Sequence, residues 1–326
     1  MNRSSLLVLT AFVLAGCAAE VTPATKARAQ ELGALVDGDR VWNDVLALTQ
    51  LHRGDVKFDC QSVARPPDHW CQLSHDAARD FIAQRFRALG LEPTFDPNDT
   101  SPPTTNVFAE VRGTSRPDEL ITIGAHFDAF FEGADDNSSS VAVMLEVARL
   151  VSQAPLTRTV RFVGYDLEEF GLLGSTRMTR SASIAQRTLV LDCVGYSSSE
   201  PGSQLGLPGF PLPDVGDFLA VIGNENSRAS VETALLAAKD APQIPTVLSV
   251  VAAGRGDGPL VGNLMRSDHA PLWLSGHDAV FFTDTANFRN PNYHEDTDTP
   301  ATLDPAFLAG VARVSMMTLS AWSDAP

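Results

Sequence analysis

Residues 120–151 read LITIGAHFDAFFEGADDNSSSVAVMLEVARLV, and this stretch predicts a β-strand followed by an α-helix. The apolar run Leu120–Ala125 has the length and β-branched content of a buried strand. Ser139–Val151 is apolar over a length typical of a helix, and acidic and amide side chains fill the loop between the two. A strand that leads into a covering helix is the repeating unit of an α/β protein.

The same alternation of strands and helices extends on both sides of this stretch. Further strands are predicted at Val107–Val111, Thr159–Gly164, Thr188–Val194, Phe218–Ile222, Thr246–Val251 and Ala279–Phe282. Further helices are predicted at Val41–His52, Ser74–Leu89 with Ser74 as N-cap, Leu172–Arg180, Ser227–Lys239 and Pro305–Trp322. This order predicts a three-layer sandwich, in which a mixed, mainly parallel sheet carries helices on both faces.

The first residues predict export rather than a part of the fold. An apolar run, Leu6–Leu14, follows Arg3 and is shorter than the roughly 20 residues that a membrane-spanning helix needs. Residues 1–16 therefore have the pattern of a signal peptide. Because Leu14–Cys17 resembles a bacterial lipobox, we expect Cys17 to be lipidated. Lipidation and plain secretion both place the protein outside the cytoplasm.

Behind the signal peptide we expect a small, polar tether, residues 17–30, and a single domain, residues 31–326. The lipid anchor would hold a monomer in the bacterial cell envelope, at the outer membrane or facing the periplasm. The chain is 44% hydrophobic, which is enough for an ordinary packed core. Its formal net charge of −16 argues against a nucleic-acid partner, whose phosphates it would repel.

The remaining cysteines differ in their settings. Cys60 and Cys71 lie close in sequence around a Pro66–Pro67 turn, and an oxidising compartment favours a disulfide between them. Cys193 lies in an apolar stretch with no histidine nearby in sequence. We expect Cys193 to be a buried free thiol.

Imidazole and carboxylate side chains follow several predicted strands. In open α/β sheets, ligands bind outside the carboxyl ends of the strands, where distant loops meet. Five segments carry such groups: His126 with Asp128, Asp135 with Asp136, Glu168 with Glu169, Asp192, and His294. Adjacent acidic side chains beyond an apolar strand are unusual unless a cation neutralises them.

These side chains predict a metal site. Oxygen and imidazole ligands without a thiolate suit Zn²⁺, or another divalent ion such as Mn²⁺ or Co²⁺. Two histidines and three carboxylates outnumber the three protein ligands of a single catalytic zinc. A pair of ions about 3.5–4 Å apart that share one carboxylate explains the number better. One of two adjacent glutamates can then bind metal while the other accepts a proton from bound water.

Together the segments resemble metallopeptidase family 28, the co-catalytic di-zinc aminopeptidases. The resemblance runs from Ala125 to Leu303 through six motifs in order: Ala-His-x-Asp, Gly-Ala-Asp-Asp-Asn-x-Ser, Glu-Glu-x-Gly-Leu-Leu-Gly-Ser, the strand aspartate, Ser-Asp-His-Ala-Pro, and Tyr-His near Asp-Thr. Any one motif alone is weak, whereas six in the right order are highly specific. The resemblance implies the zinc aminopeptidase fold and a peptide substrate that is hydrolysed at its N-terminal residue.

The resemblance also implies the ligands. Two zinc ions would be held by His126, Asp136, Glu169, Asp192 and His294. Asp136, the second aspartate of its pair, would bridge the ions.

Other site residues would act without binding metal. Glu168 would be the general base that deprotonates the bridging water, and Asp128 would orient His126. Tyr293 and Arg266 match positions that contact the substrate carbonyl or its oxyanion in some relatives. We expect His269, in the Ser-Asp-His motif, to make structural hydrogen bonds.

Several other activities remain open on the same residues. A carboxypeptidase or dipeptidase shares the metal core, since the pocket decides which terminus is recognised, and we expect residues 202–258 to shape that pocket. A glutaminyl cyclase-like enzyme works with one zinc, so retention of all five ligands favours hydrolysis. A lipoprotein that binds metal or peptide without catalysis has no use for Glu168. Serine hydrolases and single-zinc metalloproteases are disfavoured, because Gly-x-Ser-x-Gly and His-Glu-x-x-His are absent.

Overall fold

The computed structural model describes residues 21–58, 68–98, 102–180, 185–206, 212–239, 245–252, 254–256 and 262–325. The strands in these residues are β1 Leu73–Ser74, β2 Thr94–Asn98, β3 Thr104–Val111, β4 Arg116–His126, β5 Ala129–Phe130, β6 Arg158–Tyr165, β7 Arg187–Leu191, β8 Phe218–Asn224, β9 Thr246–Ala252 and β10 Ala279–Thr283. The α-helices are α1 Pro23–Ala34, α2 Gly38–Gly54, α3 Asp76–Ala88, α4 Ser140–Gln153, α5 Leu173–Met178, α6 Arg228–Ala238, α7 His269–Leu274 and α8 Pro305–Asp324.

An eight-stranded mixed sheet forms the centre of the molecule, in the order β2-β3-β6-β4-β7-β10-β8-β9. Its middle strands β6, β4, β7 and β10 run parallel. The pairs β2–β3, β3–β6 and β10–β8 are antiparallel, and β8–β9 is parallel again. The carboxyl ends of the middle strands therefore meet at one edge of the sheet.

Helices cover both faces of this sheet, as predicted. On β7, Leu189 and Leu191 enter the larger hydrophobic core, to which α4 and α8 contribute, whereas Val190 enters a smaller core beside α7. On β10, Phe282 and Phe281 divide between the same two cores. Because successive side chains of a strand point to opposite faces, the two cores lie on opposite sides of the sheet.

The first described helix corrects the predicted domain start. Residues 17–30 were expected to form a tether, but α1 begins at Pro23, and the Thr22 hydroxyl caps it by accepting a hydrogen bond from Thr25 N–H at 3.1 Å. Its buried residues, which include Ala29 and Leu32, lie on the side that packs against α8. The tether prediction is therefore wrong for residues 23–30, because this helix is part of the packed domain.

Most predicted elements are present with slightly shifted ends, and two local predictions are wrong. Ser74 is not the N-cap of α3; it lies in β1, and its buried hydroxyl is 3.0 Å from His52 Nδ1. Helix α3 begins only at Asp76. Asp192 was expected within a strand, and it lies directly after β7 instead.

The export predictions fall outside the described residues. Residues 1–16, Cys17 and Cys60 are not among them, so the signal peptide, the lipidation and the Cys60–Cys71 disulfide stay predictions. Of the helices that are described, none has the length and apolar character needed to cross a membrane.

Candidate metal centre

The candidate site lies at the carboxyl ends of β4, β6 and β7, which are neighbours in the sheet. His126 is the last residue of β4, Glu168 and Glu169 lie in the turn after β6, and Asp192 follows β7. His294 arrives from the loop between β10 and α8. The topology thus brings residues from distant parts of the chain together, as the strand-end argument predicts.

The five predicted ligands form two groups that share Asp136. His126, Asp136 and Asp192 offer ligand atoms within 4.8 Å of one another, and so do Asp136, Glu169 and His294. His126 Nε2 lies 3.2 Å from Asp136 Oδ1, and His294 Nε2 lies 3.1 Å from Asp136 Oδ2. The two oxygens of Asp136 therefore face different histidines, which is the arrangement that a bridging carboxylate needs.

The buried atoms of these groups fit a metal cation. Asp136 Oδ1 and Glu169 Oε1 are buried and receive no hydrogen bond of regular geometry. An ionised carboxylate that is removed from water is costly unless it is paired or coordinates a metal. Carboxylate and imidazole ligands are those that zinc accepts in catalytic sites.

The burial and close approach of these carboxylates and imidazoles shift their pKa values. Burial and the charge of Asp136 raise the pKa of Glu169 to about 8. Burial lowers the pKa of His294, but Glu169 and Asp136 outweigh it and raise the value to about 10. Burial opposes ionisation of Asp136, yet His126 and His294 hold its pKa far below the ordinary value. Protons and a divalent cation therefore compete for this site.

Asp128 fixes the two adjacent glutamates as well as His126. Its Oδ1 accepts a hydrogen bond from Glu168 N–H and its Oδ2 accepts one from Glu169 N–H, both at 3.1 Å. His126 Nδ1 lies 3.0 Å from the Asp128 carbonyl oxygen and 3.5 Å from Asp128 Oδ1. The carbonyl is thus the nearer partner of His126, and sequence reasoning missed the contacts to the glutamate backbone.

Asp298 holds the Asp135–Asp136 pair in the same manner. Its Oδ1 accepts from Asp135 N–H at 3.0 Å and its Oδ2 from Asp136 N–H at 3.1 Å. The Asp135 carboxylate accepts from Gly195 N–H and from Asn290 Nδ2, both at 2.8 Å. The Asp135 carboxylate is therefore hydrogen-bonded by the surrounding protein, and Asp136 is the member of the pair that lies among the other predicted ligands.

An irregular turn, Ala134–Ser139, delivers Asp136 to the site. Gly133 precedes it with φ 51°, and a Cβ at this position would lie 2.4 Å from a neighbouring side chain, so only glycine fits. Asn137 Nδ2 donates to the carbonyl oxygens of His126 and Leu191, both at 3.3 Å. The Asn137 side chain thereby links the carboxyl ends of the neighbouring strands β4 and β7.

Left-handed backbone conformations cluster at the same place. Leu167, directly before Glu168, has φ 53°; Cys193, directly after Asp192, has φ 50°; and His294 has φ 62°. Residues other than glycine rarely adopt this region, and such positions concentrate at functional sites. The local backbone is therefore held in an unfavourable conformation where it presents the ligands.

Glu168 lies beside the two ligand groups without belonging to either. Glu168 is 8% exposed, and burial raises the pKa of its carboxyl group well above the ordinary value despite the nearby His126. A carboxyl group with a raised pKa can accept a proton and return it near neutral pH.

Arg266 and Tyr293 lie together next to His294. The Arg266 guanidinium donates to the Tyr293 hydroxyl at 3.3 Å and to Asn287 Oδ1 at 2.8 Å. The Tyr293 ring stacks on the His294 imidazole, with ring centroids 3.8 Å apart. The structure thus brings the two predicted substrate contacts to the rim of the ligand groups.

A small pocket of about 50 Å³ opens beside Asp192 and Tyr293. Its apolar walls are Ile222, Leu264, Phe281 and Phe288. Residues 202–258 were expected to shape the pocket, but they contribute Ile222 alone among its described lining residues. Among the described lining residues, β10 and the loops around Leu264 and Phe288 supply most of the wall. The expectation for residues 202–258 stays a prediction, because 207–211, 240–244, 253 and 257–258 are not among the described residues.

His269 and Cys193 occupy structural positions. His269 Nε2 lies 2.6 Å from the Leu264 carbonyl oxygen, and its ring stacks on Phe281 at 4.3 Å. Burial lowers the pKa of His269 to about 4, so the ring is neutral at physiological pH. Cys193 is a buried free thiol, as predicted, and burial raises its pKa well above the ordinary value.

Comparison with known proteins identifies relatives of this arrangement. The sequence model of Peptidase family M28 matches residues 106–319. Uncharacterized protein YfbL of Escherichia coli strain K12 is 31% identical over 300 residues, which cover 83% of this chain and 89% of YfbL. A probable zinc metalloprotease of Leptosphaeria maculans is 26% identical over 254 residues, or 68% of this chain and 58% of that protein. The crystal structure of LapA aminopeptidase of Legionella pneumophila has the same fold, with a TM-score of 0.67 and 15% identity over 95% of this chain and 78% of LapA.

Proposed function

Because the chain belongs to peptidase family M28, we propose that it is an aminopeptidase that uses two zinc ions to remove the N-terminal residue of a peptide. The observation that carries this proposal is Asp136, whose two oxygens face two separate ligand groups. His126 and Asp192 would hold one ion, and Glu169 and His294 the other. When bound, the zinc ions supply Lewis-acid polarisation of the scissile carbonyl and a lowered pKa for a bound water.

Glu168 transfers the proton in this reaction. It is buried beside the ligands but outside both groups, and its raised pKa suits a group that is protonated and deprotonated in one cycle. Glu168 takes a proton from the water whose oxygen attacks the carbonyl carbon. It then gives that proton to the amine nitrogen as the peptide bond breaks. Asp128 keeps the backbone of Glu168 and Glu169 in one position relative to the ligands.

Tyr293 and Arg266 act on the substrate carbonyl. Their hydroxyl and guanidinium groups lie 3.3 Å apart at the rim of the site. Donors placed where negative charge develops stabilise the tetrahedral intermediate.

The composition of the site favours the N-terminal over the C-terminal end of a peptide. A carboxypeptidase needs cationic side chains for the terminal carboxylate, and among the described pocket-lining residues Arg266 is the only lysine or arginine. Arg266 donates hydrogen bonds to Tyr293 and Asn287, and in the proposed reaction it acts on the scissile carbonyl rather than on a terminal carboxylate. A free α-amine needs no such cationic side chain. The His126–Asp192 group also provides ligands for a second ion, which a single-zinc cyclase does not need.

Metal analysis and an aminopeptidase assay test the proposal together. Purified full-length chain should contain near two zinc ions, release p-nitroaniline from aminoacyl-p-nitroanilides, and lose this activity with a chelator. Peptides with an acetylated N-terminus should remain intact. Cleavage of those blocked peptides from the C-terminus would show a carboxypeptidase. One ion per chain without hydrolysis would overturn the proposal and favour a cyclase-like enzyme or a binding protein.

Two aspartate variants test the bridging position. Asp136→Ala should lose both ions, because both ligand groups contain this residue, whereas Asp192→Ala should keep the ion of the Glu169–His294 group. Asp296→Ala is the matched control, since Asp296 is exposed and close in sequence to His294. Retention of both ions by Asp136→Ala would overturn the assignment of Asp136 as the bridging carboxylate.

A further inference from the structure

The turn that carries Glu168 and Glu169 is bonded to a histidine from the first part of the chain. His75 directly precedes α3, and it lies before residues 106–319, which the family model matches. Its Nδ1 is 2.7 Å from Oδ1 of Asp166. Asp166 follows the last residue of β6 and begins the turn. The proposed mechanism uses neither His75 nor Asp166.

Asp166 connects the turn to strand β3. Its Oδ2 accepts a hydrogen bond from Thr105 N–H at 2.6 Å, and its own N–H donates to Asn106 Oδ1 at 3.0 Å. Its carbonyl oxygen accepts from Gly174 N–H at 2.9 Å, at the far end of the turn. A Cβ at Gly174 would lie 2.3 Å from Asn106 Oδ1, so the turn is closed tightly against β3. A shift of Asp166 would therefore move both ends of the turn.

The contact between His75 and Asp166 is an ion pair. Asp166 is 1% exposed, and a carboxylate that is removed from water is costly unless it is paired. Three carboxylates act on the His75 imidazole: Asp166 in the turn, Asp76 in α3 and Asp128 after β4. Burial lowers the pKa of His75, but these groups outweigh it and raise the pKa above its ordinary value of 6.5. Burial also raises the pKa of Asp166, and His75 opposes that rise.

The same part of the chain also reaches Asp128. Ser74, the neighbour of His75, pairs with Ala129 of β5 in antiparallel register. Ala129 directly follows Asp128, whose carboxylate accepts hydrogen bonds from the two glutamate N–H groups. Residues 74 and 75 therefore contact both supports of the turn, one through a strand pair and the other through an ion pair.

We propose that His75 is a positioning residue of the aminopeptidase: its imidazolium holds Asp166 and thereby fixes the turn that presents Glu169 to a metal ion and Glu168 to the attacking water. This inference rests on the proposed function. Without the positive charge, Asp166 and Asp128 repel each other in a buried setting, and the repulsion acts on the turn that both carboxylates hold. The segment before residue 106 thus takes part in building the metal centre.

Zinc titration of the full-length protein gives a readout that is independent of turnover. His75→Ala should weaken the binding of one of the two ions by about 10–100-fold, because Glu169 belongs to one ligand group only. His75→Asn should recover part of this loss, since its amide nitrogen can donate to Asp166 in place of Nδ1. His277→Asn is the matched control, because His277 precedes the amino end of β10, away from the ligands. Wild-type zinc binding in His75→Ala would overturn the proposal.

The pH profile of kcat at saturating zinc separates the charge of His75 from its hydrogen bond. Below pH 6.5 the wild-type imidazole is charged, and His75→Asn lacks that charge. The ratio of wild-type to His75→Asn kcat should therefore be about tenfold at pH 6 and fall towards one as the pH rises and His75 loses its proton. A ratio that does not change with pH would show a merely structural contact and overturn the role of the charge.

Asp166→Asn supplies the matching change on the other side of the ion pair. It keeps an oxygen for Thr105 N–H but removes the negative charge, so its ratio of wild-type to variant kcat should also fall with rising pH. If His75→Ala does not fold, His75→Asn and Asp166→Asn decide the question, because both keep a polar side chain at the contact.

Failure of this inference can be told from failure of the proposed function. Hydrolysis by the wild-type protein, with equal kcat and zinc binding in His75→Ala, would overturn the role of His75 alone. Without hydrolysis by the wild-type protein, the aminopeptidase would fall, and the zinc titration would still decide whether His75 fixes the ligand turn.

Discussion

The metal centre and the adjoining pocket are built in different ways, although they share Asp192. At the metal centre, carboxylates and imidazoles are placed by hydrogen bonds to the backbone: Asp128 holds the Glu168–Glu169 amides and Asp298 holds the Asp135–Asp136 amides. In the pocket, Ile222 and Phe281 are placed by the packing of a hydrophobic core.

The difference teaches how each region responds to change. A hydrogen-bonded ligand set depends on direction, so one altered group removes an ion or a proton transfer. An apolar wall depends on volume, so an altered side chain shifts selectivity by degrees. We therefore expect substitutions at the metal centre to abolish activity and substitutions in the pocket to change it by degrees.

Replacement of the base should give the largest effect. Glu168→Gln should lower kcat by about 10²–10⁴-fold, because the amide cannot accept the proton, while zinc content stays at the wild-type level. Steady-state kinetics and metal analysis on the same sample test this. Glu295→Gln, an exposed glutamate beside His294, is the matched control. Near-wild-type turnover in Glu168→Gln would show that another group is the base.

The two carboxylates that hold the ligand backbone should have smaller and distinguishable effects. Asp298→Asn should weaken zinc binding by about 10–100-fold, because one of the Asp135 and Asp136 amides loses its acceptor. Asp128→Asn should in addition lower kcat at saturating zinc, since it also displaces Glu168. Zinc titration and kinetics separate the two outcomes, with Asp296→Asn as control. Unaltered zinc affinity in both variants would contradict the placement of the ligands by hydrogen bonds to their backbone amides.

The smallest effect concerns stability against pH in chelator-treated protein. The pKa of Glu169 is raised from 4.5 to about 8 and that of His294 from 6.5 to about 10, so the folded chain holds protons that the unfolded chain has released. Stability should therefore fall as the pH rises from 5 to 9, with each kcal/mol costing about 2–4 °C in melting temperature.

Thermal melts at pH 5, 7 and 9 check this prediction. The melting temperature of zinc-loaded protein should fall less with pH, because the ions replace the protons. In chelator-treated Glu169→Gln, the fall in melting temperature below pH 8 should be smaller than in the wild-type protein. A melting temperature that rises with pH in the presence of chelator would contradict the raised pKa values of Glu169 and His294.

The sequence predicts the metal centre better than the pocket, and for a physical reason. His126, Glu169 and Asp192 follow apolar strands, and a parallel sheet puts strand ends at one edge whatever the connections between them. Chemistry-bearing side chains are also rare enough in such places to be recognised. The contact of Ile222 with Phe281 depends on β8 running antiparallel to β10, and no local pattern reports that pairing.

Other errors have equally local causes. The composition around Pro23–Ala34 resembles a polar tether, and only contact with α8 makes it a helix of the domain. Ser74 is a good N-cap residue by type, but pairing of β1 with β5 captures it in a strand. The roles of Asp128 and Asp298 towards backbone amides are invisible in sequence, because any buried carboxylate could accept those bonds.

Asp298 follows His294 in sequence and lies 163 residues after Asp135. The Asp135–Asp136 amides therefore find their acceptors only after the loop between β10 and α8 has been synthesised. A chain that lacks this loop contains His126 and Glu169 but not the carboxylate that holds the backbone of Asp136.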